Sequence, residues 1–240
     1  MTVPLPNGGL TAPAEDCLKA VYELERAGAG APVTTNDLAH RLTLAAASVT
    51  GMVKRLAGQG LIDYARYHGV RLTEQGRRTA LRTLRRHRVI ETYLVSVLGF
   101  GWDTVHAEAE RLEHSASDEL VDRMAAAVGD PAVDPHGAPI PTRDGGIVEG
   151  PAGRALSELA PGERGCIARV EDDDAARLRY LDSLGIRPGV EFELVERAPF
   201  GGPLTVRVEG APRQIGPQLA AHVVVIQPSE HSLRIGDREH

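Results

Sequence analysis

The sequence predicts a mainly α-helical protein with a small β component: an N-terminal winged helix-turn-helix, a helical dimerisation domain and a C-terminal small β-barrel. Three observations predict it. Residues 13–78 run through short amphipathic helical patterns into two β-rich segments around Tyr67-His68-Gly69. Residues 79–129 carry further helical pattern, broken at Gly99 and Gly101. After a Pro/Gly-rich connection over 130–153, residues 154–228 change to short β-like segments with frequent turns. Residues 1–12 read as a disordered start and 229–240 as a frayed tail.

Each element has its own local reason. AEDCLKAVYELERAG is amphipathic, with Leu18, Val21, Tyr22 and Leu24 on its apolar side and Gly28 and Gly30 at its end. VTTNDLAHRL is a short helix capped by Thr34 or Thr35, with Leu38, Ala39 and Leu42 facing inward. A break at Thr43-Leu44 leads into AAASVTGMVKRLAGQG, a basic second helix that ends at glycine. The wing follows, then Thr73 opens a long helix whose end is crowded with Val89, Ile90, Tyr93, Leu94, Val97 and Leu98. That apolar end suits a dimer surface or packing between the two long helical tracts. The second tract is expected to run unbroken from Trp102 or Asp103 to Val128. The 130–153 stretch reads as an ordered surface connection or a linker. CIARVED, VEFELVERA, LTVRVEG and HVVVIQP supply the barrel strands, and AARLRYLDSLGIRPG a helix and turn between them.

Six residues carry the strongest chemical signal. His87 and Glu91 are four apart, and His106, Glu110, Glu113 and His114 follow at steps of four, three and one. At ~100° per residue the second set spans only about 100° of a helix, so its side chains share one stripe. Leu120, Val121 and Met124 continue the same sector, which predicts that the stripe turns inward. Imidazoles and carboxylates on such a face need compensation, and a divalent metal supplies it. The alternative is a buried salt-bridge network drawing on Arg85, Arg86 and Arg88; the spacing favours metal.

Charge points to the partner. The net charge of −6 hides a polarity: residues 1–90 hold 13 Lys/Arg against 7 Asp/Glu, and the remainder 14 against 26. A basic N-terminal third fits nucleic acid better than the acidic whole does. Candidate DNA contacts are Thr35 and Asn36 on the first of the paired helices, Ser48, Thr50, Gly51, Lys54 and Arg55 on the second, and Arg66 and Tyr67 at the wing. No apolar run approaches the ~20 residues of a membrane span, and the N-terminus lacks the features of a secretory signal. Cys17 and Cys166 fit no paired-thiol motif and read as reduced structural thiols, so a cytoplasmic location is expected.

AVYELE, SVTGMVKRL, RLTEQGRR, RHRVIETYLV, VHAEAERLEHSASDEL and DPHGAPIP together resemble the iron- and manganese-dependent repressors of the DtxR/MntR family. The resemblance covers about residues 13–228, and LRYLDSLGIRPG extends it to the FeoA-like barrel of the longer members. Carried over by position, it implies a primary metal site of Asp16, Glu110, Glu113 and His114. It also implies an ancillary site of His87, Glu91 and His106, joined by Glu171 and Asp174. Only the resemblance promotes Asp16, Glu171 and Asp174, which otherwise read as a helix-dipole residue and a solvated acidic loop.

Departures from the family pattern are informative. Iron-type members carry Met and Cys where this chain has Asp16 and Glu110, and manganese-type members carry acidic residues there. Mn(II) is therefore the implied cofactor, with Fe(II) the alternative. Lys19 replaces a second first-helix carboxylate of the manganese type, which argues against a two-metal cluster of that kind. Gly51 stands where iron-type members place a glutamine in the groove, so base readout is expected to be sparse and DNA shape to matter more.

The implied protein is a homodimeric, Mn(II)-responsive transcriptional regulator that binds a palindromic double-stranded operator and controls metal-homeostasis genes. It is expected to have no enzymatic activity, no small-molecule substrate and no membrane partner. Two other classes fit parts of the pattern. A metallohydrolase would use a similar ligand cluster, but no HExxH or comparable motif is present. An organic-ligand-responsive winged-helix regulator would leave the acidic stripe purely structural.

Overall fold

The computed structural model describes residues 10–65, 68–148, 150, 152–172 and 174–227. The chain forms two compact units, one of Met1–Tyr93, Glu108–Pro131 and Ile140–Val148, the other of Leu94–Ala107, Ala132–Pro139 and Glu149–His240.

The first unit opens with α1 (Ala12–Ala27), which starts on a proline in its first turn and closes at Gly28. Gly30, at φ 81°, then donates its N–H to the Glu25 carbonyl at 2.7 Å. Thr34 caps α2 (Thr35–Arg41) by accepting from the Asp37 N–H at 3.1 Å. Thr43, at φ 54°, turns the chain into α3 (Ala46–Gly58). The wing is an antiparallel pair, β1 (Ile62–Ala65) and β2 (Gly69–Leu72), in register from Ile62 opposite Leu72 to Ala65 opposite Gly69. Leu18, Val21, Leu38, Val49, Val53, Leu56, Ile62 and Val70 form its buried core.

Thr73 caps α4 (Glu74–Leu98), its hydroxyl accepting from the Gly76 N–H at 3.1 Å. Gly76 has a steric role as well: a Cβ there would lie 1.8 Å from the Leu61 carbonyl oxygen, so only glycine lets α4 pass this close to the start of β1. Ala80, Leu81 and Leu84 join the core of the first unit.

The expected single helix to Val128 is two helices, α5 (Val105–Leu112) and α6 (Asp118–Ala127). Ser117 accepts the Leu120 N–H at 3.2 Å, and Asp118 and Glu119 fill the first turn, so HSASDEL is a helix start inside what reads as one tract. The break resets the helical phase. Val121 is buried and Met124 half-buried, but Leu120 is 45% exposed rather than inward. At the end of α4 Leu94 is buried whereas Val97 and Leu98 are exposed.

The second unit is built on one antiparallel sheet of β3 (Arg154–Ala155), β4 (Arg164–Val170), β5 (Glu191–Arg197), β6 (Leu204–Val208), β7 (Ala211–Ile215) and β8 (Val223–Ile226). Their order is β3-β8-β4-β5-β6-β7. This sheet is open, which corrects the expected closed barrel. Its two ends explain why: β3 is only two residues long, and β7 carries Pro212, which has no N–H to offer a further strand. The same features hid both strands in the sequence, since APRQI has no apolar alternation. α7 (Ala175–Ser183) and the short α8 (Pro217–Ala220) complete the unit. Leu178, Leu181 and Ile186 pack with Leu194, Leu204, Ile215 and Val223 in its core. The connection makes hydrogen-bonded turns at Asp134–Gly137 and Thr142–Gly145. Among the described residues no helix is long and apolar enough to cross a membrane.

Candidate metal centre

Asp16 lies in the N-terminal part of α1, and Glu113 and His114 lie in the turn that follows α5. A helical hydrogen bond from the Glu113 N–H to the Ala109 carbonyl, 2.9 Å, keeps that turn in phase with α5. One ligand atom from each of Asp16, Glu113 and His114 lies within 4.8 Å of the other two. His114 Nε2 is 2.8 Å from Asp16 Oδ1 and 3.4 Å from Glu113 Oε1, while its Nδ1 is 2.7 Å from Glu15 Oε2. Glu113 is fully buried.

Cationic groups surround these carboxylates. Lys19, one turn beyond Asp16, donates to Glu110 Oε1 at 2.6 Å and Glu113 Oε1 at 2.8 Å. His87 Nδ1 is 2.6 Å from Glu113 Oε2, and its Nε2 is 3.0 Å from Glu91 Oε1. Arg86 reaches Glu15 at 3.5 Å and Asp118 at 3.1 Å. The carboxylates of Glu15, Asp16, Glu91, Glu110 and Glu113 outnumber the permanent cations Lys19 and Arg86, so the imidazoles are held charged. Burial opposes the charge on His87, but Glu91 and Glu113 outweigh it and push its pKa up to about 10. His114 rises to about 10 through its contacts with Asp16 and Glu15. Burial likewise opposes the charge on Lys19, and Glu113 and Glu110 prevail, raising its pKa.

A divalent ion fits this set chemically. Two carboxylates and one imidazole offer hard oxygen and nitrogen donors at close range, and the excess negative charge is what a dication offsets. No sulfur belongs to the group, because the neighbouring Cys17 turns into the hydrophobic core.

The other expected ligands divide between the two units. Glu110 faces Lys19, and its Oε1 is also 3.7 Å from His87 Nδ1. His87 and Glu91 belong with the first unit, while His106, one turn before Glu110 on α5, falls in the second. Glu171 and Asp174 are also in the second unit. There Glu171 pairs with Arg169 at 2.7 Å, and Asp174 caps α7 by accepting from the Ala176 and Arg177 N–H groups at 2.9 and 3.0 Å. Of the arginines weighed as alternative partners, Arg86 is drawn into the cluster and Arg85 turns to Asp122.

The sequence reading missed three buried polar residues, Glu15, Asp134 and His136. Glu15 reads as a first-turn acidic residue, yet it shares a face with Leu18 and Tyr22 at the i, i+3, i+7 spacing of a buried stripe, which is the signal available for it. In DPHG, Asp134 accepts from the His136 and Ala138 N–H groups at 2.8 and 3.0 Å. His136 Nε2 lies 2.7 Å from the Trp102 carbonyl oxygen, and its ring stacks on the indole.

The candidate DNA face is open. Ser48, Gly51, Lys54 and Arg55 are exposed on α3, opposite buried Val49, Met52, Val53 and Leu56. Among the described residues, leaving aside its own helix backbone and chain neighbours, nothing lies within 4 Å of where a Gly51 Cβ would be. Asn36 is exposed, Thr35 half-buried, and the Thr50 hydroxyl donates to the Ala46 carbonyl at 2.8 Å. Arg66 and Tyr67 lie outside the described residues.

Comparison with known proteins matches three domains in chain order. Residues 9–70 match the iron dependent repressor N-terminal DNA binding domain, 73–142 its metal binding and dimerisation domain, and 154–227 the FeoA domain. The iron-dependent repressor IdeR of Mycobacterium tuberculosis is 33% identical over 226 residues, covering 88% of this chain and 94% of its own length. The diphtheria toxin repressor of Corynebacterium diphtheriae is 32% identical over 192 residues, covering 75% and 83%. A solved structure of a manganese-dependent transcriptional repressor in complex with manganese has a TM-score of 0.81 at 38% identity, over 89% of this chain and 99% of that one. With its domains matched in order and a relative aligned over nearly its full length, the chain belongs to the DtxR/MntR family of metal-dependent transcriptional repressors.

Proposed function

We propose that this chain is a homodimeric, Mn(II)-activated repressor of metal-homeostasis genes, acting on a palindromic operator. Asp16, Glu113 and His114, joined by Glu110, hold the primary ion, and the family resemblance assigns His87, Glu91, His106, Glu171 and Asp174 to an ancillary role. The single observation that carries this reading is the convergence of Asp16 from α1 with Glu113 and His114 from the turn after α5. When bound, the ion supplies the positive charge that ties these groups together. Asp16 then fixes α1, whose Leu18 and Val21 pack in the core shared with α2 and α3, so the reading helix is held in one position. DNA selects that arrangement, and linkage requires that it tighten metal binding by the same factor.

The domains follow the sequence boundaries: 13–78 reads DNA, 79–129 binds metal and dimerises, 130–153 connects, and 154–228 tunes the response. Exposed Val97, Leu98 and Phe100 suit a dimer surface. Ser48, Thr50, Gly51, Lys54 and Arg55 face the groove, Thr35 and Asn36 its edge, and Arg66 and Tyr67 the backbone. An Fe(II)-responsive repressor is the second reading, favoured by the IdeR relatives' being named iron-dependent. The oxygen-rich donor set favours manganese.

The test is His114→Ala in an operator-binding titration with Mn(II). The variant should stay folded and dimeric and lose metal-dependent binding. Operator affinity equal to wild type at ordinary Mn(II) concentrations would overturn the assignment.

A further inference from the structure

The two ring nitrogens of His114 have different surroundings. Nε2 faces Asp16 and Glu113, at 2.8 and 3.4 Å, and Nδ1 faces Glu15 at 2.7 Å. Glu15 is only 2% exposed. Its other oxygen lies 3.5 Å from Nη1 of Arg86, itself 1% exposed. The Arg86 Nε donates to Asp118 at 3.1 Å, while Nη1 and Nη2 make no hydrogen bond among the described residues. A guanidinium buried that deeply requires an anion beside it, and Glu15 is the carboxylate at its Nη1 end. Glu15 is therefore a buried acceptor, fixed from one side by Arg86 and aimed from the other at His114.

We propose that Glu15 is a positioning residue of the metal centre. By accepting the Nδ1–H of His114, it sets the ring's rotation and tautomer and presents Nε2 to the ion. Adjacent residues of α1 thus grip one imidazole on both sides, Asp16 beside the ligand nitrogen and Glu15 behind it. Carboxylates behind metal-bound histidines orient the ring and strengthen it as a ligand, and their loss lowers metal affinity by about 10–100-fold. The inference rests on the primary site proposed above.

The test uses the full-length protein with 15N-labelled histidine and 113Cd(II) as a diamagnetic probe, together with EPR titration of Mn(II). Wild type should show 113Cd–15N coupling at His114 Nε2 and a slowly exchanging proton on Nδ1. Glu15→Gln should lose the protection of that proton and bind Mn(II) about 10–100-fold more weakly. Coupling through Nδ1, or through Nε2 with a rapidly exchanging Nδ1 proton, overturns the role of Glu15 and leaves the metal site standing. Coupling to neither nitrogen overturns both. A Glu15→Gln protein with wild-type Mn(II) affinity and an unchanged Nδ1 proton also overturns the role. Should Glu15→Gln fail to fold, the wild-type spectrum alone decides.

Discussion

At the scale of single residues, the proposed metal centre sets protons, Lys19 and a metal ion in competition for the same carboxylates. His114 and His87, with pKa values near 10, carry protons well above the ordinary imidazole range. Because these folded-state values are raised, their contribution to stability is fully present below about pH 6.5 and is lost as pH rises through about 10. The metal-free protein should therefore lose stability between about pH 6.5 and 10, measured as the denaturation midpoint across that range; a flat profile contradicts it. The same proton must leave His114 Nε2 before that atom can ligate, so apparent Mn(II) affinity should rise roughly tenfold per pH unit from 7 to 8.5. A pH-independent affinity would remove His114 from the ligand set. Lys19 is the other competitor. Lys19→Met leaves the buried Glu113 short of a charge partner and should cost about 3–5 kcal/mol in the metal-free protein. Saturating Mn(II) should recover part of that loss in a thermal denaturation series. No recovery would mean that Lys19 and the ion do not share these carboxylates.

At the scale of elements, local chemistry decides what sequence can reveal. The helices of the N-terminal unit were legible because each has a start or stop signal, such as Thr34, Thr73 or Gly28, beside a clear apolar face. The break between α5 and α6 was not read, although Ser117 and its acidic first turn carry the signal, because the apolar period runs on through it in sequence. β3 and β7 were missed because edge strands need no apolar alternation, and the open sheet follows from those same edges. In the site, the spacing of Glu110, Glu113 and His114 was legible, and Asp16 came only through family resemblance. The burial of Glu15 and Arg86 depends on the packing of α1 against α4, which no single helical pattern records. Gly76 tests a different packing, that of α4 against the start of β1. Gly76→Ala places a methyl 1.8 Å from the Leu61 carbonyl oxygen. It should destabilise the protein by about 1–3 kcal/mol or more, read as a lower denaturation midpoint. An unchanged midpoint would show that α4 and β1 can part without cost.

At the scale of the whole molecule, the chain carries a DNA binding domain, a metal binding and dimerisation domain and a FeoA domain in that order. Family membership rests on three matched domains, while the proposed choice of metal rests on Asp16 and Glu110, which the family resemblance puts where iron-type members have sulfur. Hard oxygen ligands suit Mn(II), whose intrinsic affinity is the lowest of the first-row series, so at the proposed site selectivity is assigned to coordination geometry rather than to raw affinity. The most direct measurement is an anaerobic titration of operator binding by the full-length protein, with Mn(II) and Fe(II) side by side, on wild type and Glu110→Cys. The operator is a duplex selected from random-sequence DNA. Mn(II) should activate wild type at a free concentration equal to or below that of Fe(II), and Glu110→Cys should shift the preference away from Mn(II). Activation of wild type by Fe(II) at a much lower free concentration, with the ratio unchanged in Glu110→Cys, would contradict the manganese assignment.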